Sequence, residues 1–187
     1  MNHPSEIQSE FFQLLLKNQD DLWRYVYSMM RNRHDAEDIM SETILQAHNG
    51  YHTLKHQQAF LSFLFTIARR LIKRQQWKRR LFGNYNETEA HAIPSSSPMP
   101  DMSTDIRIVH DAMQSLPIKM REALILFEIN GLSLEEIKHI QGDSLSAVKS
   151  RLMRGRSKLA ELLKDSPEAE SSLNGIYEQT AHTMVKS

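Results

Sequence analysis

Lys149, Ser150, Met153 and Arg154 stand on one side of a helical repeat whose other side carries Leu145, Val148 and Leu152. A lysine and an arginine so spaced can grip phosphate, and an arginine fork can also read a guanine edge. Ser146 lies on the same polar side. The surrounding run, Leu132 to Leu163, reads as two helices joined by a tight turn. Ser133 with Glu136 three residues later forms a capping box. Leu134, Ile137 and Ile140 recur at helical spacing. Gly142 takes a left-handed turn cheaply, and Ser144 can cap the second helix. Leu159, Leu162 and Leu163 continue its apolar stripe. This is the layout of a helix-turn-helix that sends its second helix into the major groove. An ordinary helical hairpin with a solvated basic face meets the same spacing equally well.

Two other stretches carry charge that calls for a partner. Residues 34–48 make an amphipathic helix, with Ala36, Ile39, Thr43 and Ala47 toward a core and Asp35, Asp38, Ser41, Glu42 and Gln46 outward. Taken alone, that face is best read as solvated. Residues 59–81 begin apolar and aromatic, from Phe60 to Leu71, and end almost wholly basic. Arg69, Arg70, Lys73, Arg74, Lys78, Arg79 and Arg80 contain no acid among them, and Trp77 sits in their midst. Such a helix can track phosphates and stack on an unpaired base, although most of its aromatics belong in a core.

The 187 residues suit one large or two small domains. Lys and Arg number 23 and Asp and Glu number 23, so net charge is zero, yet the signs are segregated into basic and acidic blocks. Separate surfaces for partners of opposite charge follow. With no cysteine, disulfides and thiolate metal sites are excluded. No stretch is apolar enough to enter a membrane, and the N-terminus has no basic leader, so a cytoplasmic protein is expected. His48, His52 and His56 recur every four residues, but Gly50 interrupts the helix and the loop has no carboxylate. No metal and no other cofactor is expected. There is no nucleophile with a histidine partner and no phosphate-cradling glycine loop, so the chain does not read as an enzyme.

The elements that position these residues are all helical. Residues 5–31 give one helical stretch, broken or capped at Asp20 and Asp21, with Phe11, Leu14 and Leu15 on one apolar face and Leu22, Val26, Met29 and Met30 on another. Asn49 and Gly50 stop the acidic helix. Residues 83–104, with three prolines and a serine run, form a linker at the domain boundary. A helix follows over residues 105–115, and Pro117 opens the next one, which ends near Asn130 and Gly131. Residues 165–187 form a polar tail. The expected fold is all-α: a helical domain over 5–82, the linker, and a helix-turn-helix domain over 105–164.

The run LPIKMREALILFEINGLSLEEIKHIQGDSLSAVKSRLMRGRSKL resembles region 4 of bacterial sigma-70 factors, closest to the extracytoplasmic-function group. DAEDIMSETILQAH resembles their region 2 clamp helix. AFLSFLFTIARRLIKRQQWKRR is similar to the helix that follows it, with Phe63 to Arg69 standing for a Trp-Leu-Tyr-Arg-Ile-Ala-Arg-like run. The resemblance covers residues 10–164 in the right order. It implies a dissociable subunit that binds core RNA polymerase and promoter DNA, with an anti-sigma protein as an optional further partner. By position, Asp35, Asp38, Ile39, Ser41 and Glu42 would meet polymerase. The loop of residues 49–58, with Tyr51, His52 and Lys55, would hold a base flipped from the −10 element. Arg69, Arg70, Lys73, Arg74 and Trp77 would hold the melted strand and the duplex edge. Ser146, Lys149, Ser150, Met153 and Arg154 would read the −35 element.

Several residues depart from the family pattern. Ser41 replaces a usual glutamine, Asp143 a usual apolar residue under the turn, and Ser146-Ala147 a common Gly-Thr pair. Arg70 and Lys73 lie where many members carry Asn or Asp. A stand-alone helix-turn-helix regulator that never touches polymerase is the alternative. It leaves the acidic helix and the basic-aromatic helix unexplained.

Overall fold

The computed structural model describes residues 4–30, 32–82 and 104–164. The chain divides into two compact units, Met1–Pro94 and Ser95–Ser187. Among the described residues the secondary structure is helical, with no strand. The linker expected over 83–104 lies outside the described residues apart from Thr104, and so does the tail over 165–187.

The first unit is built from α1 (Pro4–Met29), α2 (Arg33–Gly50) and α3 (Phe60–Phe82). Two short 3₁₀ turns, Tyr51–Thr53 and Gln57–Ala59, connect α2 to α3. Each helix packs on the other two. α1 runs unbroken through Asp20 and Asp21, against the expected break there. Both aspartates face outward, and Asp21 pairs with Arg24 one turn on. An aspartate inside a helix costs only about 0.7 kcal/mol. Phe11, Leu15, Leu22, Val26 and Met29, all buried, supply one continuous apolar stripe that outweighs it. Leu14 is only half-buried, at the border of that stripe. α2 buries the expected Ala36, Ile39, Thr43 and Ala47, and the Thr43 hydroxyl donates to the Ile39 carbonyl over 2.6 Å. Phe60, Leu64, Phe65, Ala68, Leu71 and Ile72 of α3 complete the core.

The second unit comprises α4 (Thr104–Gln114), α5 (Ile118–Leu124), α6 (Leu134–Gln141) and α7 (Leu145–Leu163). α5 continues into a π-helical turn, Ile125–Ile129, where the Asn130 amide donates to the Ile125 carbonyl five residues back. The corner between α4 and α5 is held by the buried Arg121. Its guanidinium donates to the carbonyls of Met113, Gln114 and Leu116 and so satisfies the open end of α4. Gly131 and Gly142 both adopt φ 65°, which lets the chain turn sharply into and out of α6. The Ser133–Glu136 capping box is present at both hydrogen bonds. Ser144 caps α7 by accepting from the Ala147 amide at 3.2 Å. α7 buries Val148, Leu152, Leu159 and Leu163, while Leu145 is half-buried. Leu162, expected on the same stripe, is 44% exposed. Leu159 and Leu163, four residues apart, fill the seam, and Leu162, one position before Leu163, is rotated off it.

Candidate nucleic-acid and protein interfaces

In the first unit, α2 and α3 border a groove. Asp38, Ser41 and Glu42 form one wall, Arg74 and Lys78 the other, and Ile39 and Leu71 the floor. The structure therefore gathers four of the five residues expected to meet polymerase: Asp38 and Ser41 exposed, Glu42 partly so, and Ile39 buried with an edge in the groove. Ser41 donates to the Glu37 carbonyl over 2.9 Å, as an exposed serine in a helix does.

Asp35 is set apart from them. Asn32 caps α2 by accepting from the Asp35 amide at 2.8 Å and donates to its carboxylate at 2.6 Å. The same carboxylate accepts from Gln75 at 2.8 Å and pairs with Arg79. Asp35 thus ties the start of α2 to the end of α3, and its half-buried carboxylate is already occupied.

The expected DNA residues of the first unit are also sorted by burial. Tyr51 is a core residue, 8% exposed. Its ring packs edge-on against Phe11 at 5.5 Å and Phe60 at 5.9 Å. Burial, with a hydrogen bond to Glu10, raises its phenol above the ordinary value. Tyr51, expected beside a flipped base, is instead placed with its whole ring in the aromatic core of the first unit. His52 and Lys55 of that loop are exposed. On α3, Arg70, Lys73 and Arg74 are exposed and Arg69 is half-buried, while Arg70 reaches back to Gln46 Oε1 at 2.5 Å. Trp77 is 62% exposed and Leu81 52%, on the same basic face one turn apart. An exposed indole among cations is the arrangement that a stacked base would use. His48, first of the histidines spaced by four, instead rests its ring on Phe11 at 5.1 Å.

In the second unit, Ser146, Lys149, Met153 and Arg154 lie exposed on α7, and Ser150 is half-buried between them. Met153 is 64% exposed, a large apolar group held in water at a position where a thymine methyl could meet it. Arg154 Nε donates to the Ser150 carbonyl over 3.3 Å, a weak contact that leaves the fork free to turn outward. Two other basic residues of this helix point elsewhere. Arg151 Nη1 donates to Gln141 Oε1 at 2.6 Å and Nη2 lies 2.7 Å from Asp143 Oδ2. Arg156 pairs with the buried Glu128 and lies over the Phe127 ring at 5.3 Å. Neither was legible as internal from spacing. The one signal was Asp143 itself, an acid at a turn position that resembles an apolar one.

Among the described residues no cluster of histidine and carboxylate side chains could hold a metal, and no helix is long and apolar enough to cross a membrane.

Two family descriptions match this chain: Sigma-70 region 2 over residues 14–81 and Sigma-70 region 4 over residues 106–159. The first spans the groove-forming helices and the second the helix-turn-helix. The RNA polymerase sigma factor CarQ of Myxococcus xanthus is 31% identical over 157 residues, covering 83% of this chain and 90% of that protein. The ECF RNA polymerase sigma factor SigE of Mycolicibacterium smegmatis is 32% identical over 168 residues, covering 86% of this chain, which spans 64% of that longer protein. Among solved structures, the sigma factor RpoE in complex with the anti-sigma factor NepR from Bartonella quintana superposes with a TM-score of 0.71 at 29% identity, covering 84% of this chain and 98% of that one. The groove helices and the helix-turn-helix therefore fall on the two halves of one known kind of protein, and the chain belongs to the extracytoplasmic-function family of RNA polymerase sigma factors.

Proposed function

We propose that this chain binds core RNA polymerase through the α2 face of its first unit and directs initiation at promoters read by both units. The observation that carries the reading is that two unlike surfaces occur in one chain. One is the acidic wall of Asp38, Ser41 and Glu42 over an apolar floor. The other is the exposed Lys149, Met153 and Arg154 of a capped helix-turn-helix.

The chemistry is binding, with no bond made or broken by the chain. Lys149, Ser150 and Arg154 contact bases of the upstream element, which fixes register. Arg70, Lys73 and Arg74 hold phosphates near the downstream element, and Trp77 stacks at the edge where pairing ends. His52 and Lys55 line the loop that receives an unpaired base. Capture of that base offsets an unstacking cost of a few kcal/mol. Such a factor acts in the cytoplasm, where polymerase and DNA are. A protein of the NepR kind, which the Bartonella quintana RpoE binds, is the class of antagonist we extend to this chain.

Co-purification with core enzyme tests the reading. The chain should be retained by immobilised core polymerase and released by excess of another sigma factor. Tight DNA binding with no retention on core would favour a stand-alone regulator instead.

A further inference from the structure

Asp143 stands in the turn between α6 and α7, after Gly142 and just before the cap Ser144. It is thus at the end of α7 that a helix-turn-helix presents to the major groove. Its Oδ2 lies 2.7 Å from Arg151 Nη2 and 3.4 Å from Lys119 Nζ. Arg151 is largely withdrawn, its side chain 12% exposed, whereas that of Lys119 is 51% exposed. The Arg151 hydrogen bond, above all, holds the Asp143 carboxyl below the usual carboxylate range, with Lys119 adding to it, so it stays ionised at neutral pH. Two cations beside the groove-entering end of the helix are therefore engaged by an acid of the same domain.

A lysine or arginine that reaches phosphate adds affinity for every sequence alike. We propose that Asp143 is a specificity-determining residue: by engaging Lys119 and Arg151 it withholds them from the DNA backbone, so that discrimination rests on the base contacts of Lys149, Ser150 and Arg154. Its own negative charge acts in the same direction by repelling phosphate. The proposal rests on the placement of the DNA-reading face on α7. A purely mechanical role, pinning the turn to α5 and α7, predicts the opposite: loss of Asp143 would lower affinity for all DNA.

The test is fluorescence anisotropy of the full chain on a short duplex of random sequence, titrated between about 50 and 200 mM salt. Asp143→Asn should bind this duplex more tightly than wild type. Its slope of log K against log salt should steepen by about 1–2, since each added phosphate contact contributes about 0.9. Asp143→Glu, which keeps the charge, should stay near wild type. Lys119→Gln should change little in the wild-type background and should remove part of the gain in the Asp143→Asn background, a dependence that a mechanical role would not produce. Thermal melts show that each variant is folded. Equal or weaker binding by Asp143→Asn with an unchanged slope overturns the proposal. So does a slope lowered by about 0.9 in Lys119→Gln alone, which would show Lys119 already on phosphate. If the wild type still supports initiation with core enzyme, either result leaves the sigma reading intact. If neither wild type nor Asp143→Asn binds any duplex, the DNA-reading face falls and the proposal with it.

Discussion

Arg156 donates its Nε to Glu128 Oε1 over 2.7 Å, from the middle of α7 to the π-helical turn that ends α5. The Glu128 side chain is 2% exposed, and the arginine is a cation that helps to offset the cost of its burial. A basic residue of α7 is in this case part of the scaffold.

Arg156→Ala should therefore destabilise the second unit by about 1–3 kcal/mol, the cost of removing one charged partner of a buried carboxylate. Differential scanning calorimetry should show the corresponding drop in its melting temperature. Replacing both partners, Arg156→Met with Glu128→Gln, should recover much of the loss. An unchanged melt for Arg156→Ala would mean that the pair contributes nothing.

Arg154→Ala should behave differently. Arg154 is exposed and makes only one weak contact within its own helix, so stability should move by less than about 0.5 kcal/mol. Preference at one base position of the upstream element should relax by about 1–3 kcal/mol, read by competition binding of holoenzyme to single-base promoter variants. A uniform loss across all variants would make Arg154 a phosphate contact.

Asp38→Lys together with Glu42→Lys should weaken association with core enzyme while leaving the circular-dichroism melt nearly unchanged. Both residues stand on the exposed wall of the α2–α3 groove. Asp35→Asn should show the reverse pattern, a lowered melt, because its carboxylate serves Gln75, Arg79 and the cap of α2. Wild-type retention of the double variant on core polymerase would remove the groove wall from the interface.

The Asp143 carboxyl lies below its ordinary range in the folded chain, chiefly through the Arg151 hydrogen bond. A depressed folded value means that the ionised form is favoured by folding. The stabilisation is present above the ordinary carboxylate range and disappears as pH falls through the lowered folded value. The melting temperature of wild type should therefore fall more steeply on acidification than that of Asp143→Asn. Parallel pH profiles of the two proteins would contradict this linkage.

The sequence carried the helix ends well because capping is local. Ser133, Glu136, Gly142 and Ser144 act within four residues of their partners, and each takes its expected role. The core side of α2 was equally legible from period alone. Spacing could not separate residues that are chemically alike but differently partnered over long range. Arg154 and Arg156 are two positions apart, yet only the second finds an acid, 28 residues away. Asp35 and Asp38 share one helix, and Gln75 and Arg79, 40 and 44 residues along the chain, claim the first. Tyr51 follows the same logic: its loop reads as exposed, but Phe11 and Phe60 make it core. The π-helical turn at Ile125–Ile129 has no period of its own, and its apolar run reads as plain helix.

On the proposed reading, Trp77 would connect the first unit to strand opening. It is 62% exposed among cations, so Trp77→Ala should leave folding unaffected and slow open-complex formation. A stacked base contributes about 1–3 kcal/mol, so the deficit should be roughly five-fold to 150-fold in permanganate reactivity of unpaired thymines. Normal reactivity with a normal melt would assign the indole elsewhere.

Transcription in vitro with purified core polymerase tests the central claim most directly. Fragments of a bacterial genome selected for binding by the holoenzyme serve as templates. The account predicts initiation from discrete sites only when this chain is added, and loss or redistribution of those sites with Arg154→Ala although that variant still binds core. Tight DNA binding by the chain alone, with no initiation from any selected fragment in the presence of core enzyme, would contradict it.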